Sequence, residues 1–195
     1  IPGVMPILAG LGSPQEMKVH DEKWHTENFM WGNSRTRRKG FWTDEVARDW
    51  FETMEKSRTR LISCYNCPMT CGATISMPGL PTYMMKCFTK LTYTMGAFSD
   101  LDFGLKIAQK ATEYGLDGFS APQVMAFALE LLEEGILHKD DFPEMPEDNE
   151  GKFFYLLDMI VRREGIGDVL AEGTYWAAKK IGNGAEAFAH NNIKK

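Results

Sequence analysis

Residues 113–131 read EYGLDGFSAPQVMAFALEL, and this stretch predicts the end of one helix and the beginning of another. Gly115 is suited to stop the first helix, since glycine accepts the left-handed conformation found after a helix C-terminus. Ser120 is a good N-cap for the second helix, and Pro122 fits its first turn. The apolar run that follows reaches Gly135, which we expect to end the helix. The stretch therefore predicts a helix–turn–helix unit.

Similar signals extend the helical pattern along the chain. A helix is predicted over 44–60 behind an N-cap at Thr43. Ser99 and Asp102 form a short capping signature, with Ser99 as the cap, that opens another helix. Further helices are predicted around 153–161 and over 168–181, the last with a stop at Gly182. Strand patterns are weak throughout. We expect a mainly α fold in a single domain, 1–195, with an irregular segment over 1–42 and a helical part over 43–195.

Residues 64–71, CYNCPMTC, carry the strongest chemical signal. Cys64, Cys67 and Cys71 have the C-x2-C-x3-C spacing that brings thiolates around one centre, and thiolates suit an Fe–S cluster or zinc. A four-iron cluster needs a fourth ligand. Either Cys87 supplies it or it lies outside this sequence. Buried, inert thiols are the alternative, and zinc is disfavoured because no His follows at finger spacing.

Composition narrows the class of protein. The chain has 195 residues, of which 44% are hydrophobic, and a net charge of -5. The negative charge argues against nucleic-acid binding. No apolar run is long enough to cross a membrane. Crowded cysteines do not look like a disulfide framework, so we expect a reducing, cytoplasmic setting. The start without Met suggests a piece of a longer polypeptide.

Three segments together resemble a known family. They are the cysteine triplet, residues 113–131, and residues 164–174, which read EGIGDVLAEGT. In this order they are similar to the aldehyde:ferredoxin oxidoreductase family of tungsten enzymes, from Cys64 onward. The resemblance implies the helical middle domain of that fold. It also implies a tungsten ion held by two pterins (a tungsten-bis-pterin centre), with a [4Fe-4S] cluster close by.

The resemblance assigns ligands residue by residue. It implies that the triplet Cys64, Cys67 and Cys71 holds the cluster. The acidic-x-x-Gly-Leu-Asp motif of the family, here Glu113, Gly115, Leu116 and Asp117, would contact one pterin. The alternative for this motif is an ordinary turn between helices with solvated acids.

One departure points to a branch of the family. Aldehyde-oxidising members carry a Pro-Glu-Tyr-Glu-like stretch after the triplet, whereas residues 81–90 read PTYMMKCFTK, with both acids absent and Cys87 present. This resembles the catalytic subunit of class II benzoyl-CoA reductases, in which a cysteine thiolate ligates tungsten. The match implies that Cys87 is the tungsten ligand and that the fourth cluster cysteine lies outside this sequence. A small core residue, or that cluster ligand, is the alternative for Cys87.

The N-terminal segment fits the same branch. Glu16, His20 and His25 match an acid and two histidines implied to handle protons near the metal, although such histidines are also found solvated. The implied reaction is the dearomatising reduction of benzoyl-CoA to cyclohexa-1,5-diene-1-carbonyl-CoA, with an Fe–S electron-transfer subunit as partner in a larger complex. The rivals are a relative acting on aldehydes or other acyl-CoA substrates, a non-catalytic Fe–S electron-transfer subunit, and a zinc-stabilised interaction module.

Overall fold

The computed structural model describes residues 44–68, 70, 72–79, 81–85, 100–118 and 120–189. Helix α1 spans Asp44–Ser57 and buries Trp50 and Met54, which lie one turn apart on the same face. It was predicted to reach Arg60, but it ends earlier because the carbonyl of Ser57 accepts the N–H of Ser76, at 2.8 Å, instead of continuing the helical ladder.

A small antiparallel sheet follows the helix, in the order β1-β2-β3. The strands are β1 (Arg58–Ile62), β2 (Gly72–Ile75) and β3 (Tyr83–Met85). The first pair aligns Ile62 with Gly72, and its register shifts between Arg58 and Arg60. The sequence analysis missed this sheet. Strands of three to five residues are too short to display a period of two.

From residue 100 onward, the described chain consists of helices joined by short loops and turns. Its elements are α2 (Leu101–Glu113), α3 (Ser120–Glu133), a 3-10 turn (Lys139–Asp141), α4 (Asn149–Arg162), α5 (Ile166–Leu170), α6 (Thr174–Ile181) and a 3-10 turn (Ala185–Phe188). Helix α4 packs against α2, α3 and α5, and α6 packs against α3 and α5. Phe103, Phe127 and Phe153 are fully buried at the centre of this helical core. The expectation of a mainly α fold is confirmed.

Two predicted boundaries change in the helical part. The N-cap of α2 is Asp100, whose carboxylate accepts the N–H of Phe103 at 2.8 Å, and Ser99 lies outside the described residues. The predicted helix 168–181 is wrong. It is divided into α5 and α6, because the chain turns at Gly173 with a φ of +82°. The single-domain division stays a prediction, since residues 1–43 are not described.

In the part of the chain that the structure describes, no helix combines the length and apolarity needed to cross a membrane.

Candidate functional site

The turn between α2 and α3, residues 114–117, is built by backbone hydrogen bonds. The N–H of Leu116 donates to the carbonyl of Ala111 and the N–H of Gly115 donates to that of Thr112, each at 3.0 Å. This pair of bonds is the Schellman motif, which requires a left-handed residue after the helix. Gly115 meets that requirement with a φ of +70°, so the predicted stop is confirmed.

Asp117 starts the next helix. Its Oδ1 accepts the N–H of Ser120 at 2.7 Å, and its carbonyl accepts the N–H of Ala121 at 3.1 Å. The predicted N-cap at Ser120 is therefore wrong. Ser120 is the first residue of α3 and receives the cap that Asp117 supplies, because an aspartate accepts from the amide three residues later. Pro122, which has no N–H to donate, lies in the first turn as predicted.

Glu113 and Tyr114 make side-chain contacts at the end of α2. Gln109 donates to Oε1 of Glu113 at 3.1 Å, and Lys110 pairs with Oε2 at 3.3 Å. The Tyr114 hydroxyl donates to Oδ1 of Asp158 on α4 at 2.7 Å. The pKa of Tyr114 is raised above its ordinary value. The main cause is this hydrogen bond to a carboxylate, and the second is the desolvation of the hydroxyl by burial. The phenol, which is already protonated at neutral pH at its ordinary pKa, is therefore held more firmly as a hydrogen-bond donor.

Residues 163–174 connect α4 to α6 and include the short helix α5; this connection is called the second turn below. Arg163 has a left-handed φ of 55° at the C-cap of α4 and pairs with both Asp168 and Glu172 at 2.8 Å. The hydrogen bond from Arg163 holds the pKa of Asp168 below its ordinary value. Gly167 packs so closely on α4 that an added Cβ would lie 2.3 Å from the carbonyl oxygen of Met159.

The two turns meet at one cavity of about 160 Å³. Leu116 and Asp117 line it from the first turn, and Ala171 and Gly173 line it from the second. Its walls are completed by apolar side chains of the helices, among them Val124, Leu157, Ile160 and Leu170. Segments that are separate in sequence thus form one concave surface with a carboxylate at its edge.

The cysteine triplet occupies the connection between β1 and β2. The N–H of Cys67 donates to the carbonyl of Cys64 at 3.1 Å, and Asn66 has a φ of 54°. These values describe a β-turn with a left-handed third residue, a position that Asn tolerates. Cys64 and Cys67 are exposed at the two ends of this turn. Two thiols on one tight turn fit a cluster that is bound by the backbone wrapping around it.

Several predicted site residues lie outside the described residues: Glu16, His20, His25, Cys71 and Cys87. Among the residues that are described, no group of three His, Cys, Asp or Glu side chains is arranged to hold a metal ion. This result does not test the triplet, because Cys71 is not included.

Sequence reasoning missed Asp158 and Arg163. Asp158 lies within the amphipathic helix α4, where an acid is ordinarily solvated, and Arg163 is one of two adjacent arginines. Neither position carries a spacing that predicts its contact. The contacts of Asp158 and Arg163 are apparent only once α4 is packed against its neighbours.

The comparisons with known proteins identify the family. The sequence profile of aldehyde ferredoxin oxidoreductase, domains 2 and 3, matches residues 1–195. The chain belongs to the aldehyde ferredoxin oxidoreductase family.

Curated relatives and one solved structure refine this assignment. The chain is 33% identical over 138 residues to a tungsten-containing aldehyde ferredoxin oxidoreductase of Pyrococcus horikoshii, which is 64% of this chain and 22% of that protein. It is 37% identical over 125 residues to the WOR-like subunit of an aliphatic sulfonate oxidoreductase of Pyrococcus furiosus, 60% of this chain and 20% of that protein. It therefore spans about a fifth of these relatives.

The similarity to a solved structure is greater. The active-site complex BamBC of benzoyl-coenzyme A reductase, with 1,5-dienoyl-CoA, is 82% identical and has a TM-score of 0.80. The match covers 99% of this chain and 30% of that one. Within the family, the chain is thus much more similar to this reductase than to the curated aldehyde and sulfonate oxidoreductases above.

Proposed function

We propose that the protein containing this chain is a tungsten-dependent aryl-CoA reductase that reduces benzoyl-CoA to cyclohexa-1,5-diene-1-carbonyl-CoA. The observation that carries the proposal is the 82% identity, over 99% of the chain, to the active-site complex of benzoyl-CoA reductase with a dienoyl-CoA. An identity this high supports the same chemistry for the protein that contains this chain. The balance is two electrons and two protons added to the ring, with the thioester retained.

The residues of the chain fit the cofactors of such an enzyme. Cys64 and Cys67, exposed on one turn, would hold a [4Fe-4S] cluster together with Cys71. The turn that follows α2 would contact one pterin through Glu113, Gly115, Leu116 and Asp117. Cys87 would ligate tungsten. When bound, the cluster and the tungsten-bis-pterin centre supply electrons of low potential.

The described residues prepare this site in two ways. Gly115 and Leu116 are held by the Schellman bonds, so the motif backbone has one shape before any ligand binds. Asp117 keeps its carboxylate at the start of α3, beside the cavity shared with the second turn. A preorganised surface loses less entropy on binding than a mobile one.

Protons would come from residues outside the described part. We propose that His25, with Glu16 or His20, supplies the two protons, because imidazole changes its charge near neutral pH. An Fe–S subunit would deliver the electrons within a larger complex. Exposed thiols that would bind a cluster suit a reducing, cytoplasmic setting.

The test is a metal analysis and an activity assay on the full-length protein, purified without oxygen together with its partner. We expect about one tungsten and roughly four irons per chain. With a low-potential donor, benzoyl-CoA should gain two hydrogens, detected by mass spectrometry. Tungsten with aldehyde oxidation instead would make the protein another oxidoreductase of the family. Iron without tungsten would indicate an electron-transfer subunit. Zinc alone would exclude both a tungsten oxidoreductase and an Fe–S electron-transfer subunit.

A further inference from the structure

The turn after α2 is tied to α4 by one short bond between side chains. The Tyr114 hydroxyl lies 2.7 Å from Oδ1 of Asp158, and the two residues are 44 positions apart. Both side chains are partly buried, where a bond to a charged acceptor is stronger than on an open surface. Tyr114 is the residue between Glu113 and Gly115, so this bond acts within the motif itself.

Contacts on the other side of Tyr114 extend the connection. The Lys110 ammonium lies 4.8 Å from the centre of the Tyr114 ring and 3.3 Å from Oε2 of Glu113. Glu113, Lys110, Tyr114 and Asp158 therefore form a continuous series of contacts. It runs from the first acid of the motif to α4.

Helix α4 is a firm anchor for such a series. Phe153, Leu156, Leu157, Met159 and Ile160 are buried in the core. The carboxylate of Asp148 caps its N-terminus by accepting the N–H of Gly151 at 2.7 Å. Leu157 and Ile160 also line the cavity that the two turns share. Asp158 thus belongs to the element against which both turns are placed.

We propose that Tyr114 and Asp158 are positioning residues for the pterin-binding turn. The backbone bonds of the Schellman motif set the shape of the turn, and the Tyr114–Asp158 bond sets its place relative to α4 and the cavity. Without it, the turn keeps its shape but holds its ligand in a broader range of positions, so the ligand leaves faster. The inference rests on the proposed function, since it names a pterin as the ligand.

The test compares variants in the full-length complex. Tyr114→Phe removes only the hydroxyl, and Tyr155→Phe is the matched control. Tyr155 also lies on α4, and its hydroxyl donates to the carbonyl of Pro143, so this variant loses a tyrosine hydroxyl bond that involves no residue of the motif. The readouts are tungsten per chain, the rate of pterin release measured by its fluorescence, and the midpoint of thermal unfolding.

We expect Tyr114→Phe to release the pterin at least roughly tenfold faster than the wild type, the effect of losing a hydrogen bond to a charged acceptor. Tyr155→Phe should leave the release rate within about twofold of the wild type. Its midpoint of thermal unfolding should be similar to that of Tyr114→Phe. Asp158→Asn keeps an acceptor oxygen and should keep pterin release slow, whereas Asp158→Ala should accelerate it as Tyr114→Phe does. The contrast between these two variants separates positioning from a simple loss of packing.

Equal release rates for Tyr114→Phe and the wild type would overturn the inference. So would equal acceleration in the Tyr155→Phe control. A wild-type complex with no tungsten or pterin would instead contradict the proposed function, so the two failures are distinguishable.

Discussion

Replacing Gly167 by alanine should open the second turn, and the structure sets the size of the effect. An alanine Cβ at this position would lie 2.3 Å from the carbonyl oxygen of Met159 and 2.5 Å from its carbon. These are backbone atoms, so no rotamer change relieves the contact. The same oxygen accepts the N–H of Glu164 at 3.1 Å, and that bond must also move.

Overpacking of a core costs about 1–3 kcal/mol, and we expect the upper end here because the backbone must shift. A loss of about 3 kcal/mol corresponds to roughly hundredfold faster opening of the local structure. The assay is hydrogen exchange with mass spectrometry on the full-length protein, followed in peptides that cover 153–174.

Gly135→Ala is the matched control for Gly167→Ala. Gly135 has a φ of +71°, and nothing lies within 4 Å of an added Cβ, so alanine there meets backbone strain without a collision. We expect a cost of about 1 kcal/mol, or roughly fivefold faster exchange, confined to the end of α3. The comparison is between two accelerations of amide exchange over the wild type: that of Gly167→Ala in peptides covering 153–174, and that of Gly135→Ala at the end of α3. If the first is no larger than the second, the steric argument is wrong.

Three further predictions follow from other contacts. Asp117→Ala should destabilise the start of α3 by about 1 kcal/mol, seen as faster amide exchange, whereas Ser120→Ala should change it little because the Ser120 amide is the donor. Arg163→Met should lower the thermal midpoint at neutral pH, and this difference should disappear in acid below the folded-state pKa of Asp168, because that pKa is depressed and the stability it contributes is lost as pH falls through it. A difference that persists in acid would contradict this. Cys87→Ala should abolish turnover and leave the iron spectrum intact, and a fully active variant would remove Cys87 from the tungsten site.

The functional segments were predictable from sequence because their signals are local. Gly115 is a helix stop in the structure, as its residue type and spacing indicated. Cys64 and Cys67 lie exposed at the two ends of one turn, so their short spacing does place them close together. The family assignment, made from three short segments, is confirmed by a match over residues 1–195. The ligand roles of these residues remain proposals.

The errors occurred where local signals compete. Ser120 and Asp117 are both good caps, and the choice depends on where the chain leaves the Gly115 turn. Residues 168–181 have helix-forming residues on both sides of Gly173, so the sequence pattern does not show that the chain turns there. The sheet was missed because its strands are three to five residues long, and neither β1 nor β2 alternates between buried and exposed residues.

By itself the sequence determined the mainly helical class, the family, and the positions of the cysteine triplet and the motif turn. Each of these depends on residues that are neighbours along the chain, where backbone preferences and spacing suffice. Only the tertiary structure decided which contacts hold the site together. The bond from Tyr114 to Asp158, and the cavity shared by Asp117 and Gly173, arise because helix packing brings distant residues within hydrogen-bond or van der Waals distance. A helix period predicts which face is buried, but it does not predict which partner that face meets.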